Sequence, residues 1–493
     1  MLEKILRLGK DTATYGLSTV VGRLFNFLVV PLYANTLLPA ENGVIATVYA
    51  YIAFATVVYG IGMEQTFMRF YALPEIGDKK QNFSLPFLMV CGSSFFFSLC
   101  LFLGASSVAQ MIGLGANVAP FLRYASGILL FDALSIIPFA LLRMEQKIRS
   151  FALLRLFNIM INLLLNIILI VWLDWGMEGV FAANLIASGL TAAALTPLIG
   201  RNIHFTFPRQ LLPKLLRFGL PLIPAGLAGI ALQVVDRPIV KALTNDASLG
   251  IYQLNYRLGI IMMLVVGMFD FAWRPFFLAH AKDADAKPLF VRVFTLLVLG
   301  LSTVFVVVSL FISDIVQIQL FGKQFFPPIY LSGLNIVPWV LLAYVFTGLY
   351  ACFVVGVYLE KQTKYIPMIS GAAALINIGA DILLIPKYGI LGAAWATTIA
   401  YAAMAFAMFR VSQKFYPLAY EWSKILRIAA AVVTVFLLHQ ALSSSSVSIN
   451  ALPIKSGLVV LFLAMLFVLR VVSFSDVTRL RQSLFESGPP KPS

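Results

Sequence analysis

Arg23, Arg123, Arg155, Arg237, Lys241 and Arg257 fall within or at the ends of long apolar stretches, in the company of Asp132, Asp236, Asp270 and Asp381. A charge at the middle of a membrane helix costs at least ~2.5–3.5 kcal/mol on insertion scales. Such groups therefore turn toward a bundle interior, a hydrated cavity or the headgroups. Spacing favours the interior for two sets. Gln233, Arg237 and Lys241 are four apart and form one helical stripe. Arg155, Asn158, Asn162 and Asn166 step by three and four along a second face, and Arg23 and Asn26 share a third. An interior richer in guanidinium than in carboxylate suits an anionic ligand, because the guanidinium fork matches phosphate oxygens bidentately. Arg23, Arg237 and Arg257 are the leading candidates for a substrate path, followed by Lys241, Arg123, Arg155 and Asn162. Structural roles stand beside these. Asp236 next to Arg237 reads equally as an ion pair, and Arg123, Arg155 and Lys241 lie near enough to span ends to snorkel. Asparagine stripes also serve as interhelical hydrogen-bond glue. Asp132, Asp236, Asp270 and Asp381 are either partners of the arginines or ion-coupling sites for a proton or cation.

The elements that must position these groups are membrane spans. Of 493 residues 60% are hydrophobic and 12% charged, against ~25% charged in a soluble domain. Mean hydropathy is +0.92. Apolar runs of the ~20 residues needed to cross hydrocarbon recur near 15–37, 43–63, 83–104, 117–142, 150–173, 176–199, 218–243, 248–271, 293–312, 328–352, 365–385, 388–409, 428–443 and 452–469. The expected fold is therefore an all-α integral membrane protein of about fourteen transmembrane helices. The formal charge of +15 follows from the loops. With the N-terminus inside, the outer connections hold only Lys323, Lys387 and Lys455, while the inner ones carry most of the lysine and arginine. That asymmetry predicts cytoplasmic termini at both ends and removes the need for a nucleic-acid partner. Pro31, Pro221, Pro224 and Pro238 supply bending points in spans 1 and 7 near the interior charges.

Two stretches repeat. Pro31-Leu32-Tyr33 precedes Gly43, and Pro238-Ile239-Val240 precedes Gly250, each glycine twelve residues after its proline. Glu145-Gln-Lys-Ile-Arg149, Asn162, Asn166, Gly176 and Gly179 are matched by Glu360-Lys-Gln-Thr-Lys364, Asn377, Asp381, Gly389 and Gly392. Six spans separate the copies, so the repeat is parallel, about an axis along the membrane normal. It divides the chain into a six-helix lobe over 1–205, a second over 206–412, a helical hairpin of spans 13 and 14 over 413–472, and a cytoplasmic tail over 473–493.

Catalytic constellations are not found in the sequence. His204, His280 and His439 are scattered, no phosphate-cradling glycine loop appears, and Cys91, Cys100 and Cys352 lie in apolar runs without metal spacing. Neither an enzyme nor a cofactor or metal is expected.

Tyr15-Gly-Leu-Ser-Thr-Val-Val-Gly-Arg-Leu-Phe-Asn-Phe-Leu-Val-Val-Pro-Leu-Tyr33, Glu41-Asn-Gly43 and Gly62-Met-Glu-Gln-Thr-Phe-Met-Arg69-Phe70 resemble the Wzx-like polysaccharide-transport flippases. These belong to the multidrug/oligosaccharidyl-lipid/polysaccharide exporter superfamily. Phe218-Gly-Leu-Pro-Leu-Ile-Pro224, Asp236-Arg237, Leu249-Gly-Ile-Tyr252 and Ile385-Pro-Lys-Tyr-Gly-Ile-Leu-Gly-Ala-Ala394 are similar to the second half of that family. The resemblance covers about residues 10–410. It implies two lobes that carry an undecaprenyl-diphosphate-linked oligosaccharide from the inner to the outer leaflet of a bacterial inner membrane. The implied partners are that anionic lipid, membrane lipids, glycosyltransferases and a glycan polymerase. A cation-coupled multidrug antiporter and a lipid II flippase are the alternatives on the same scaffold. The arginine-rich N-terminal signature of lipid II flippases is not seen here.

Overall fold

A computed structural model describes residues 29–205, 208–320, 322–443 and 452–471. The described chain is helical apart from a two-residue antiparallel pair, Gln319–Leu320 with Lys323–Gln324. Among the described residues eleven helices are long and apolar enough to cross a membrane. The first half contains α1 (Pro39–Gly60), α2 (Met63–Ala72), α3 (Lys79–Leu103), α4 (Ala119–Met144), α5 (Ile148–Asn166) and α6 (Gly176–Asn202). The second contains α7 (Leu211–Gly219), α8 (Leu222–Val234), α9 (Asp236–Leu243), α10 (Asp246–Leu258), α11 (Ile260–His280), α12 (Ala286–Gln317), α13 (Val337–Leu359) and α14 (Tyr365–Phe415). The hairpin of α15 (Trp422–Ser443) and α16 (Leu452–Val468) follows. Leu375, Leu383, Leu426 and Val468 stand exposed on the perimeter, as lipid-facing residues should. Of the first expected span only the helical end, 29–36, is described. Arg23, Asn26 and the tail over 473–493 lie outside the described residues.

Local sequence explains where helices start and break. Asp78 accepts a hydrogen bond from the Gln81 amide at 2.7 Å while Gln81 accepts one from the Asp78 amide at 3.1 Å, a capping box that starts α3. Asn245 starts α10 by accepting from the Ser248 amide at 2.8 Å. The 51 residues of α14 would run about 77 Å as one rod, more than twice the ~30 Å of hydrocarbon. Gly389, at φ +56°, breaks it into two crossings. Spans 7 and 8 are segmented: α7, α8 and α9 form the one, where the prolines were expected to bend it, and α10 and α11 form the other. Pro221, Pro224 and Pro238 sit at the junctions of span 7, where a missing amide donor is tolerated.

The repeated stretches share backbone geometry as well as letters. Gln146 and Lys361, one residue after the matched glutamates, have φ of +55° and +56°. The next amides, of Lys147 and Gln362, donate to the carbonyls of Leu142 and Val357, each at 2.8 Å. Gly176 and Gly389 match at φ +53° and +56°.

Where the halves meet, they meet on glycine. A Cβ on Gly43 would lie 1.8 Å from the Asp246 carbonyl oxygen, and one on Gly250 would lie 1.8 Å from that of Pro39. The first turns of α1 and α10 thus cross with backbone against backbone. Asn42 reinforces the crossing by donating to the Tyr330 hydroxyl at 2.9 Å, and Asn255 donates to the Tyr330 carbonyl at 2.9 Å. At the opposite end of the bundle Gly62 packs against Gly219.

Candidate functional site

Between these two contacts lies a polar cavity built mainly by the first half. It has two lobes of about 480 and 510 Å³ that share Arg155, Asn158 and Asn184. One lobe is lined by Glu64, Gln65, Asp132, Ser135, Ser188 and Thr191, and the other by Tyr33, Tyr49, Asn162 and Arg257.

Helix α5 presents Arg155, Asn158 and Asn162 to this space because they share one face. The Arg155 guanidinium lies 4.3 Å over the Phe139 ring, which holds it without neutralising it. Asn158 donates to the Thr191 hydroxyl at 2.9 Å. Asn166, the last of the stripe, is buried; its oxygen accepts from the Tyr33 hydroxyl at 2.7 Å and its amide donates to the Asn162 side chain at 3.0 Å. Asp132 shares a hydrogen bond with Ser188 and lies within electrostatic reach of Arg155. Arg257 enters from α10 in the second half, 5.7 Å over the Tyr33 ring. Among the described residues no carboxylate forms an ion pair with Arg155 or Arg257. Two guanidiniums that, among the described residues, form no ion pair with a carboxylate therefore face one cavity, with Asp132 and Glu64 within electrostatic reach of Arg155.

The other candidates lie elsewhere. Arg237 is buried in the second half with Asp236, at 2.7 Å, and does not line this cavity. Its Nη1 also donates to the Gln233 carbonyl and its Nε to the Gln253 side chain, and the Tyr256 ring covers it at 4.8 Å. The second Asp236 oxygen accepts from the Tyr252 hydroxyl at 2.6 Å. Lys241 pairs with Asp246 at 2.9 Å beside the glycine crossing. Arg123 is exposed, 5.8 Å over Phe102, and Asp270 pairs with Arg274 at 2.9 Å. Asp381 is fully buried on α14, within electrostatic reach of Asp236 and Arg237. Among the described residues neither of its carboxylate oxygens has a hydrogen-bond partner, nor does the Asn377 amide one turn before it.

Sequence reasoning missed Tyr33, Tyr49, Asn184, Ser188 and Thr191. The last three carry the signal that marked α5: spacings of four and three put them on one face of α6. The Asn184 amide donates to the Tyr49 hydroxyl at 2.8 Å, which ties that face to α1. Among the described residues no group of three or more acidic, cysteine or histidine side chains is placed to hold a metal.

The architecture has solved relatives. The lipid II flippase MurJ in an inward closed conformation superimposes with a TM-score of 0.74 at 17% identity, over 92% of this chain and 98% of that one. An inward-facing multidrug resistance MATE transporter of the MOP superfamily gives 0.66 at 13% identity, over 80% and 94%. A MOP superfamily transporter from Pyrococcus furiosus gives 0.60 at 14%, over 83% and 94%. Identities this low speak for a shared fold. No curated protein matches the sequence. The sequence model of the polysaccharide biosynthesis protein family matches residues 33–325, more than half of the chain, and the chain belongs to that family.

Proposed function

We propose that the protein is a flippase that moves an undecaprenyl-diphosphate-linked oligosaccharide from the inner to the outer leaflet of the cytoplasmic membrane by alternating access. The observation that carries this reading is the pair Arg155 and Arg257, which face one cavity and, among the described residues, form no ion pair with a carboxylate, Asp132 and Glu64 acting on Arg155 only from a distance. Their forks suit the two phosphates. The hydroxyls and amides of Asn158, Asn162, Asn184 and Thr191 suit a glycan, whose own hydroxyls need both donors and acceptors. Arg23, outside the described residues, would extend the same basic path. Arg237, held by Asp236, acts as a support for α9 and α10.

Lysine and arginine crowd one set of connections, which supports a cytoplasmic position for both termini. The glycine crossing of α1 and α10 then closes the outer end of the cavity. The two lobes, 1–205 and 206–412, separate there to release the lipid outward. A membrane potential negative inside favours outward movement of negative charge by ~2.3 kcal/mol per unit charge per 100 mV. The glycosyltransferases that build the glycan and the polymerase that consumes it are the expected neighbours.

Complementation of a strain lacking its own flippase tests the site. Arg155→Ala and Arg257→Ala should each lower surface glycan at least about tenfold, since a hydrogen bond to a charged group contributes ~1.5–3 kcal/mol. Wild-type glycan from both variants, at equal membrane abundance, would overturn the assignment.

Asp381 favours a second element, ion coupling. A buried carboxylate with no partner is a natural place for a proton or a monovalent cation. Asp381→Asn should leave cargo binding intact and abolish the dependence of flipping on a sodium or pH gradient. A variant that responds to both gradients as the wild type does would assign coupling to Asp132 instead.

A further inference from the structure

The two lobes of the polar cavity share Arg155, Asn158 and Asn184, yet they differ in charge. Among the described residues both carboxylates that line the cavity, Glu64 and Asp132, belong to one lobe. The other lobe has no carboxylate, and it alone contains Arg257. The Asp132 lobe reaches Gly62, on the side where Gly62 packs against Gly219. The Arg257 lobe reaches Tyr33, whose carbonyl accepts from Asn42 of the glycine crossing at 3.4 Å. The cavity is therefore polarised along its length, acidic toward one end of the bundle and basic toward the other.

Charge decides what each lobe can hold. A diphosphate is drawn to the Arg257 lobe and repelled by the carboxylates of the other. Sugar hydroxyls have the reverse preference. An ionised carboxylate only accepts, with room for about four hydrogen bonds, and a bond from a hydroxyl to it is stronger than one between neutral groups. The two carboxylates are not equivalent. Glu64 is engaged by Arg143. Asp132 stands near the middle of α4, open to the cavity, and shares a hydrogen bond with Ser188. That single bond leaves acceptor capacity on its carboxylate. Ser135, Ile136 and Phe139 follow Asp132 on the same face of α4, three, four and seven residues on. Gln65 of α2 and Thr191 of α6 add an amide and a hydroxyl, and Val57 and Ile223 add apolar surface for the C–H faces of a ring.

We propose that the Asp132 lobe holds the sugar joined directly to the diphosphate, and that Asp132 selects a neutral sugar with free hydroxyls over an acidic one. This rests on the flippase reading above, which gives the diphosphate to Arg155 and Arg257. Arg155 lines both lobes, so it stands at the junction of sugar and phosphate. Asn158 and Asn184 line both as well and serve either side. Asp132 acts by attraction and by exclusion. It accepts from the hydroxyls of a neutral ring, and it meets the carboxylate of a uronic acid as a like charge. Arg155 does not cancel that repulsion, because the neighbouring phosphate already claims its guanidinium.

Native mass spectrometry of the full-length protein, released from nanodiscs, reads the selection with three probe lipids. These are undecaprenyl diphosphate alone, its glucosyl derivative and its glucuronosyl derivative. The two glycolipids differ only in a hydroxymethyl group replaced by a carboxylate. The wild type should retain the glucosyl lipid over the glucuronosyl lipid by about tenfold or more, the factor expected where like charges meet across a binding site. Asp132→Asn keeps the shape of the side chain and removes its charge, and should bring the two glycolipids close to parity. The ratio is read within one variant, so a loss of folded protein lowers both signals together and leaves it unchanged. Equal retention of the two glycolipids by the wild type overturns the proposal, and so does a wild-type ratio in Asp132→Asn. Arg257→Ala should weaken retention of all three lipids and preserve the sugar ratio. If it weakens none of them, the phosphate assignment fails, a result distinct from a failure of the ratio. Retention of none of the three by the wild type would overturn the flippase reading and the selection with it.

Discussion

Asn166 and Asp381 hold the same place in the two repeats, each four residues after an asparagine and followed by a glycine at positive φ, and their surroundings are opposite. Asn166 is buried and satisfied by Tyr33 and Asn162, the two side chains that separate it from the polar cavity they line. Among the described residues Asp381 has no hydrogen-bond partner, and it lies within electrostatic reach of the Asp236–Arg237 pair, which Tyr252 and Tyr256 contact. One repeated arrangement is used in two ways. In the first half, polar side chains line a cavity. In the second, the charges face each other. The lesson is that an intramembrane arginine acquires meaning from what else its helix neighbours supply: Arg155 faces a cavity across an aromatic ring, while Arg237 faces a carboxylate.

The largest effect should follow from breaking the dry pair. Asp236→Ala leaves the Arg237 guanidinium buried without its counterion, a loss of about 3–5 kcal/mol. Arg155→Ala in the wet half removes a solvated cation and its contact with Phe139, about 0.5–1 kcal/mol. Thermal unfolding in detergent should therefore show a large drop in Tm for Asp236→Ala and a small one for Arg155→Ala. Equal drops would mean that the two halves do not differ in hydration, and the contrast would fail.

That contrast was only half legible in the sequence. Hydropathy located helices for the expected spans 2 to 14 within several residues, because ~20 apolar residues in succession have few other uses. The repeat was legible because glycine tolerates what other residues do not. Gly43 and Gly250 mark a backbone contact, and Gly176 and Gly389 a positive φ. The α5 stripe was visible from its spacing, and Arg257 was named without its surroundings. The roles of Arg155 and Arg237 were not legible in the same way. Periodicity gives a residue's face on its own helix, and the difference between a ligand and an ion pair is set by the facing helix. Asp236 beside Arg237 in sequence hinted at the pair. Nothing in the sequence indicated that Tyr252, Gln253 and Tyr256 of α10 would complete the enclosure. Tyr33 and Tyr49 were passed over because a tyrosine in an apolar run looks like core until its hydroxyl is seen to hold Asn166 or Asn184.

An intermediate effect is expected where the halves touch. Gly250→Ala places a methyl group against the Pro39 carbonyl, so α1 and α10 must move apart, a strain of about 1–3 kcal/mol. Gly229→Ala on α8 meets nothing within 4 Å and serves as the control, with a gain of up to about 1 kcal/mol from helix propensity. Spin labels on the outer ends of α1 and α10 should report a longer or broader distance distribution for Gly250→Ala than for Gly229→Ala. Flipping should change with it if separation at this crossing is the outward step. Identical distributions in the two variants would show that the crossing yields elsewhere.

The smallest effect tests the wet half directly. Tyr33→Phe removes the hydroxyl that donates to Asn166 and keeps the ring under Arg257. In a dry interior the stranded Asn166 oxygen would cost the full desolvation penalty of about 1–3 kcal/mol. Beside a hydrated cavity a water can take the place of the lost donor, so the expected loss is about 1 kcal/mol or less. The double variant Tyr33→Phe with Asn166→Leu separates these cases. If the site is wet, the second substitution gives no recovery, because the asparagine oxygen was never left unpaired. If Asn166→Leu restores the stability lost in Tyr33→Phe, the oxygen had been stranded, because replacing both partners of a buried hydrogen bond is close to neutral. The region around Asn166 would then be as dry as the one around Asp381, and the difference between the halves would reduce to charge alone.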